Sequence, residues 1–411
     1  MLAIDQAAAL AHFVRGTALH ELGRDDEAAL ALRRTVTLAP RDAKAWLNFG
    51  VALTSLDRLD EAEQALRRAC TLAPTLAEAY ASLGTLLTQQ LRLADAAAAY
   101  RTALRLRPDF AATRWDLGAT LLRGGDFAGG FTAMHQRKPE ENAVLARHGV
   151  AGAEWDGTSL VGRTLLACST QGLGDAIQWA RYLPLLAARG ARVVLVCNAP
   201  LARLLKSLDG VATVVTPTEP LPCHDAWVAL SSLPRLSGTT EQTIPSPDGY
   251  LSADRDRVAV WRATLPAGFT VGLVWAGNKA HQNDARRSMP QAALAPLLKM
   301  PNVRFVSLQR DAAAPPPSVT NLAPHLHDLA ETAAVVQALD LVITADTAVA
   351  HLAGALGRPA WVALPYAPDW RWQLGRADSP WYASIRLFRQ QSPGDWHAVA
   401  ENLATALRDL R

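Results

Sequence analysis

Lysine is scarce in this chain of 411 residues: Lys44, Lys138, Lys206, Lys279 and Lys299 are five of its 41 basic residues, and the rest are arginine. Cysteine is scarcer still. Cys70, Cys168, Cys197 and Cys223 lie far apart, with no C-x-x-C pair and no histidine at ligand spacing, which excludes a disulfide scaffold and a zinc ribbon. Cys168 and Cys197 fall inside apolar runs and read as small buried hydrophobes. An excess of one charge is missing too. The net charge is +3, with 18 basic and 17 acidic residues up to position 150 and 23 against 21 beyond it, too even for a dedicated nucleic-acid binder. No run of about 18 uninterrupted apolar residues occurs, and MLAIDQAAAL at the N-terminus has no basic segment, so no membrane span is expected and the chain reads as cytoplasmic. What is abundant is hydrophobic residues, at 50% against 19% charged, enough for two to four domains with real cores.

The first third repeats itself. Gly16, Gly50, Gly84 and Gly118 are spaced by 34 residues, as are Ala28, Ala62 and Ala96, and Pro40, Pro74 and Pro108. Each unit reads as two amphipathic helices, with small residues where the helices meet and proline ending the second helix, since it cannot donate the next hydrogen bond. The pattern resembles the tetratricopeptide repeat. Three units run from 9 to 110, and a degenerate fourth follows, with Gly130 in place of the packing alanine. Such arrays form superhelices whose concave face takes extended peptide or protein, or they serve only as a packing or dimerisation surface; Asn48, Ser82 and Asp116, one repeat apart, are the concave candidates, though any solvated polar row has this composition. The expected division is an array over 1–145, a junction over 146–160, a first Rossmann-like lobe over 161–265 and a second over 266–411 with a closing helix.

From residue 162 the pattern becomes strand–helix alternation. RTLLACST (163–170), VVLVC (193–197), TVV (213–215) and WVAL (227–230) supply strands of the first lobe, with one helix over about 175–189. TVGLVWAG (270–277), VRFVSLQ (303–309), LVITAD (341–346) and AWVAL (360–364) supply those of the second, and 394–411 reads as the last helix. Two parallel sheets in tandem put two sets of strand ends around one cleft, the GT-B arrangement; paired periplasmic-type binding lobes share this pattern, but that reading lacks a signal peptide. Fold alone does not determine function, so the loops carry the argument.

Three loops hold the chemistry. Gln171-Gly172-Leu173-Gly174-Asp175 opens the first helix, with Gln178 and Arg181 further along it. The glycines let backbone approach a ligand, and Asp175 reads either as a helix N-cap or as a base for an acceptor hydroxyl. Trp275-Ala276-Gly277-Asn278-Lys279, continuing through His281, Asp284, Arg286, Arg287 and Ser288, is either an ordinary basic loop or the cationic partner of a departing diphosphate. Thr344 to His351 contains Asp346, Thr347 and Ala348 at the start of a helix over 347–357. Its free amides suit phosphate, and His351 projects one turn on, either toward a ligand or into a core. Gln309, at the end of its strand, completes the nucleotide-side candidates. Pro368-Asp369-Trp370-Arg371-Trp372 either stacks a sugar or base or packs the lobe edge.

GLGDAIQWARYLPLL and DTAVAHLAGALGRPAWVAL resemble the paired signatures of the heptosyltransferase family, glycosyltransferase family 9, over about 160–411. The layout as a whole resembles bacterial tetratricopeptide-repeat proteins with a C-terminal heptosyltransferase-like domain, a group that includes flagellin- and other protein-modifying glycosyltransferases. The resemblance implies a tetratricopeptide superhelix followed by an α/β GT-B fold, and a nucleotide-sugar-dependent, metal-independent, inverting transfer. It implies Asp175 as the general base, Lys279 on the donor phosphates, and Asp346, Thr347 and His351 lining the diphosphate site. With Gly172, Gly174, Asn278, Arg287, Ser288, Gln309 and Ala348 these form the expected nucleotide-sugar set. Ala348 departs from the family's glycine, which bears on the identity of the sugar nucleotide. No cofactor is expected beyond a nucleoside diphosphate or monophosphate sugar as co-substrate. The expected partners are that donor and a protein or peptide acceptor on the concave face, with no nucleic acid. The rival readings are a non-catalytic repeat scaffold with a degenerate transferase domain and a lipopolysaccharide sugar transferase.

Overall fold

The computed structural model describes residues 2–135, 139–245, 248–280, 283–310 and 314–410. The chain divides into two compact units, Met1–Gln136 and Arg137–Arg411.

In the first unit helices pair in chain order: α1 (Leu2–Glu21) with α2 (Asp25–Leu38), α3 (Ala43–Ser55) with α4 (Leu59–Leu72), α5 (Ala77–Gln89) with α6 (Leu93–Leu106), and α7 (Ala111–Arg123) with α8 (Phe127–Met134). The 34-residue step is a packing rule. A methyl group on Gly16, Gly50, Gly84 or Gly118 would lie 2.6, 2.6, 2.7 and 2.7 Å from Leu32, Leu66, Tyr100 and Met134, which are themselves one repeat apart. Ala28, Ala62 and Ala96 are fully buried opposite them. In the last pair Gly130 takes the alanine position, and a methyl there would meet Leu122 at 2.4 Å, so these helices are too close for the alanine used elsewhere. The turns obey the same step: Gly23, Asp57, Leu91 and Gly125 all have left-handed backbone, with φ of 72°, 56°, 60° and 88°. Glycine accepts that conformation freely, whereas Leu91 sits there under strain.

Arg24, Arg58 and Arg92 occupy N-cap positions without capping, and each pairs with the acid three residues on, Glu27, Glu61 and Asp95. Asn48, Ser82 and Asp116 are half-buried rather than open to solvent. The Asn48 amide donates to Thr17 Oγ1 at 3.0 Å, so this position helps tie neighbouring first helices together.

The second unit begins with α9 (Pro139–Arg147), which the 1–145 boundary assigned to the array. It belongs here because Leu145 is buried with Leu166, Cys168, Val194 and Val196. Strands β1 (Thr164–Cys168), β2 (Arg192–Val196), β3 (Val211–Val215) and β4 (Ala226–Ala229) form a parallel sheet in the order β3-β2-β1-β4. The helix expected over 175–189 is two, α10 (Leu173–Ala180) and α11 (Leu183–Ala188). Pro184 has no N–H for the Ala180 carbonyl, so the helix stops and restarts. The break turns Arg181 and Tyr182 inward, and both are buried. Helix α12 (Ala199–Leu205) follows β2, and the short α13 (Leu233–Leu236) follows β4.

Helix α14 (Arg255–Thr264) leads into the second lobe. There β5 (Phe269–Val274), α15 (Asp284–Arg287), α16 (Ala295–Leu298), β6 (Val303–Ser307), β7 (Thr320–Asn321), α17 (Leu329–Ala338), β8 (Leu341–Ala345), α18 (Ala348–Ala355), β9 (Ala360–Leu364), β10 (Ile385–Arg389) and α19 (Trp396–Asp409) follow in order. The sheet is parallel throughout, ordered β10-β9-β8-β5-β6-β7. Its central strands β5, β8 and β9 are almost continuously buried, as strands covered on both faces require. Helix α14, which a boundary at 265/266 leaves on the first-lobe side, packs on α17. Among the described residues no helix is long and apolar enough to cross a membrane.

Candidate functional site

Parallel sheets take ligands beyond their strand carboxyl ends, where the strand order reverses. In the second sheet that point lies between β5 and β8, and the loops after those strands are the two nucleotide-side candidates. Gln309 is buried and its Oε1 accepts from the backbone N–H groups of Trp275 and Ala276 at 3.2 and 2.9 Å, so it shapes the loop. Ser288 Oγ accepts from Gly277 N at 2.9 Å and donates to Asp284 Oδ1 at 2.9 Å. A methyl on Gly277 would lie 2.5 Å from the Arg287 guanidinium, so glycine is what lets that cation fold over the loop. Asn278 and Lys279 are exposed at its tip, where Asn278 Oδ1 accepts from Ala280 N. His281 lies outside the described residues.

Across the switch point Thr347 caps α18, accepting from Val349 N, and its hydroxyl also meets Thr344 Oγ1 at 3.0 Å. Burial, then the neighbouring Asp369 carboxylate, push Asp346 up from 3.8 to about 6, against the opposing pull of the Trp372 indole and of Arg287 and Arg371. His351 is buried, stacks on Trp372 with ring centroids 5.5 Å apart, and bonds the Tyr382 hydroxyl through Nδ1 at 3.0 Å. Burial, and then Arg371, depress it to about 3. The ring packs between Trp372 and Tyr382, and its burial favours the neutral form.

The first lobe meets this helix directly. α10 packs on α18, and a methyl on Gly174 would come within 2.8 Å of the His351 ring and 3.4 Å of Ala348 Cα. Gly174 is therefore required by the approach of the two helix starts. Asp175 is not the N-cap of α10 but its third residue: Gly172 holds the cap position, and Asp175 Oδ2 reaches back to accept from Gly172 N at 3.0 Å. Asp175 Oδ1 accepts from Arg371 Nη2. Each Asp175 oxygen thus has one partner, a backbone N–H of its own helix start and the guanidinium of Arg371.

Arg371 organises the contact between the lobes. Its Nη1 donates to Asp369 at 2.9 Å, its Nε donates to Gln178 Oε1, and its guanidinium lies over the rings of Trp370 and Trp179 at 4.4 and 5.6 Å. Trp370 stacks on Trp179 with centroids 6.0 Å apart and rings 12° from parallel. Of the two roles left open for 368–372, packing of the lobe edge is the one observed: Trp370 and Trp372 are 4% and 0% exposed. Arg181 forms a second tie. Fully buried, it donates to the carbonyls of Gln178, Pro245 and Trp381 and lies 4.6 to 5.3 Å from the rings of Tyr382, Tyr250 and Trp381. Away from the cleft, Glu331 of α17 accepts from Arg203 of α12 and from Arg257 and Trp261 of α14.

Residues 304–371 match glycosyltransferase family 9 (heptosyltransferase), and 3–43, 26–77 and 82–134 match the tetratricopeptide repeat. The chain joins tetratricopeptide repeats to a glycosyltransferase family 9 domain. It is similar to Protein FlbA of Caulobacter vibrioides, 31% identical over 327 residues, covering 71% of this chain and 54% of that protein. The chain thus spans about half the length of the curated relative it matches. Among solved structures it is similar to Escherichia coli ADP-heptose lipopolysaccharide heptosyltransferase II, at 15% identity and a TM-score of 0.44 over 60% of this chain and all of that one. It is also similar to MamA, at 23% identity and a TM-score of 0.30 over 32% of this chain and 77% of that one.

Within the second unit, Asp346, Thr347, Ala348, His351, Gly174 and Asp175 come together, with Arg287 close enough to act on Asp346. Gln309 and Ser288 support the 275–288 loop, and Asn278 and Lys279 lie at its exposed tip. Sequence reasoning left Arg371 without a role. The signal was present, an arginine between two tryptophans, but nothing local indicates which carboxylate it meets.

Proposed function

We propose that the family 9 domain transfers a sugar from a nucleoside diphosphate or monophosphate donor, without metal and with inversion, to a hydroxyl of a protein acceptor held by the repeats. The observation that carries this reading is the meeting of the α10 and α18 N-termini, with Asp175 between them and the guanidinium groups of Arg371 and Arg287 at hand. Helix amides and guanidinium groups favour a departing phosphate. A carboxylate has about four acceptor sites, so Asp175 keeps lone pairs for an acceptor hydroxyl beside its two existing bonds. In the proposed sequence the hydroxyl loses its proton to Asp175 as its oxygen attacks the anomeric carbon. The bond to the donor phosphate breaks on the opposite face, and the α18 amides, the arginines and the exposed Lys279 take up the charge. The reading places the protein in the cytoplasm, where sugar nucleotides are available.

A thermal-shift screen of the full chain against ADP-, UDP-, GDP- and CMP-sugars tests the donor. At least one should raise the melting temperature, and no shift with any of them would favour the scaffold reading. With that donor, Asp175→Ala should abolish turnover, with water or a protein hydroxyl as acceptor, while keeping the thermal shift. Unchanged turnover would remove Asp175 as the base.

A further inference from the structure

The first lobe holds a buried carboxylate that this chemistry does not use. Glu141 of α9 is 4% exposed, and its bonded partners are neutral. Its Oε2 accepts from Thr170 Oγ1 at 2.6 Å and Ser231 Oγ at 3.1 Å, and its Oε1 accepts from Gln171 Nε2 at 3.3 Å. Thr170 and Gln171 follow β1, and Ser231 follows β4. In this sheet the strand order reverses between β1 and β4, so the carboxylate stitches together the two loops of the first lobe's switch point. Burying a carboxylate is costly even when hydrogen-bonded, and an apolar side chain would fill such a crevice with less desolvation. Core packing alone therefore does not account for a glutamate here.

The bonds lead from Glu141 toward Asp175. By accepting from Gln171 Nε2, Glu141 sets which way that amide faces, so that Gln171 Oε1 accepts from Trp179 Nε1 at 3.3 Å. Trp179 stacks on Trp370, beside Arg371. The residue after Gln171 is Gly172, whose N–H holds Asp175 Oδ2 and leaves Oδ1 to Arg371. Both routes out of Gln171 end on the same carboxylate, one through the backbone and one through the paired indoles.

We propose that Glu141 is a positioning residue: it fixes the 170–172 loop from outside the cleft and thereby sets the aim of Asp175 at the acceptor. The proposal rests on the reading of Asp175 as the base. It also gives α9 a task, since the helix that follows the repeats in the chain carries the residue that shapes the acceptor loop.

Two measurements on the full chain test it. The first, amide hydrogen exchange, needs no substrate. In Glu141→Ala, peptides covering 169–178 should exchange at least about tenfold faster, while peptides covering 341–356 stay unchanged. Unchanged exchange at 169–178 overturns the proposal, and faster exchange throughout the second unit reduces Glu141 to a general fold residue and overturns it equally. The second is turnover of whichever ADP-, UDP-, GDP- or CMP-sugar stabilises the wild type, with water as acceptor. Glu141→Ala should lower kcat about tenfold to a hundredfold at unchanged donor KM, as expected for a displaced catalytic group. Glu141→Gln, which keeps the side chain's length and lets the Thr170 and Ser231 hydroxyls reverse as acceptors, should restore most of it. A glutamine variant as impaired as the alanine variant would mean that charge rather than position matters, and would overturn the positioning role. If the wild type turns over none of these donors, the transferase reading fails, while the exchange result still decides whether Glu141 holds the loop.

Discussion

Arginine does opposite work in the two units. In the array Arg24, Arg58 and Arg92 each meet an acid three residues away at the surface, and the pattern recurs with the repeat. In the second unit Arg181 and Arg371 are buried between the lobes, reaching Trp381 and Asp175 across 200 and 196 residues of chain. An exposed pair gains little, because water screens it and two long side chains must be ordered. A buried guanidinium satisfies fixed carbonyls, carboxylates and ring faces in a planar fork that lysine cannot offer. The shortage of lysine therefore matters most in the second unit. The array would tolerate the exchange; the contact between the lobes would not.

The comparison breaks most visibly at Arg181. Arg181→Ala should leave three carbonyls, two of them buried, without their donor and a cavity among Tyr250, Trp381 and Tyr382, lowering unfolding free energy by about 3–5 kcal/mol in chemical denaturation. A loss as small as that of an array arginine would mean the second unit does not depend on this tie. Arg371→Ala should act mainly on chemistry. It frees Asp175 and removes a cation from the cleft, so turnover of the stabilising nucleotide sugar should fall about a hundredfold or more; wild-type turnover would show the Asp175 pairing to be incidental.

The next expected effect is on pH dependence. Asp346 is raised from 3.8 to about 6, so its contribution to stability is fully present below about pH 4 and is lost as pH rises through 6. His351 is lowered from 6.5 to about 3, so its contribution is present above 6.5 and is lost as pH falls toward 3. Between pH 6 and 4 the two oppose each other. Asp346→Asn removes one side of that balance, and denaturation at several pH values should show its stability falling more steeply on acidification than the wild type. Parallel profiles would exclude the Asp346 contribution.

Within the array the effects should be small. Leu91→Gly relieves left-handed strain at a position where two repeats already use glycine, and despite glycine's looser unfolded chain it should stabilise by about 0.5–1 kcal/mol. Loss of stability would mean that the packing of the half-buried leucine outweighs the strain. Arg58→Ala should change stability by less than about 1 kcal/mol; a larger loss would erase the contrast with Arg181.

The same contrast explains what was legible. A repeat contact is made between residues a fixed step apart, so Gly50 and Gly84 announce themselves by recurrence, whereas Leu66 and Tyr100, which they face, change type from repeat to repeat and do not. Strands buried on both faces announce themselves as apolar runs, and loops at their ends follow from the alternation. The pairing of Arg371 with Asp175 has no such signature, because it depends on two lobes closing over nearly half the chain. The break at Pro184 shows the same limit. Proline marks where a helix restarts, but only the packed lobes reveal that the break delivers Arg181 into an aromatic cage. Glu141 was invisible for a related reason: a surface-type residue on a short helix carries no mark of the crevice it fills.

By itself the sequence determined the repeat period, the two parallel sheets, the loops that face the cleft and the scarcity of lysine, because each follows from local periodicity or composition. Tertiary structure alone decided that Gly174 lies against His351, that Asp346 faces Asp369, and that Arg371 joins the lobes at Asp175. These are encounters between residues far apart in the chain. Side-chain type indicates that an arginine or a carboxylate needs a partner when buried, but which partner it finds is set by how the sheets and helices pack.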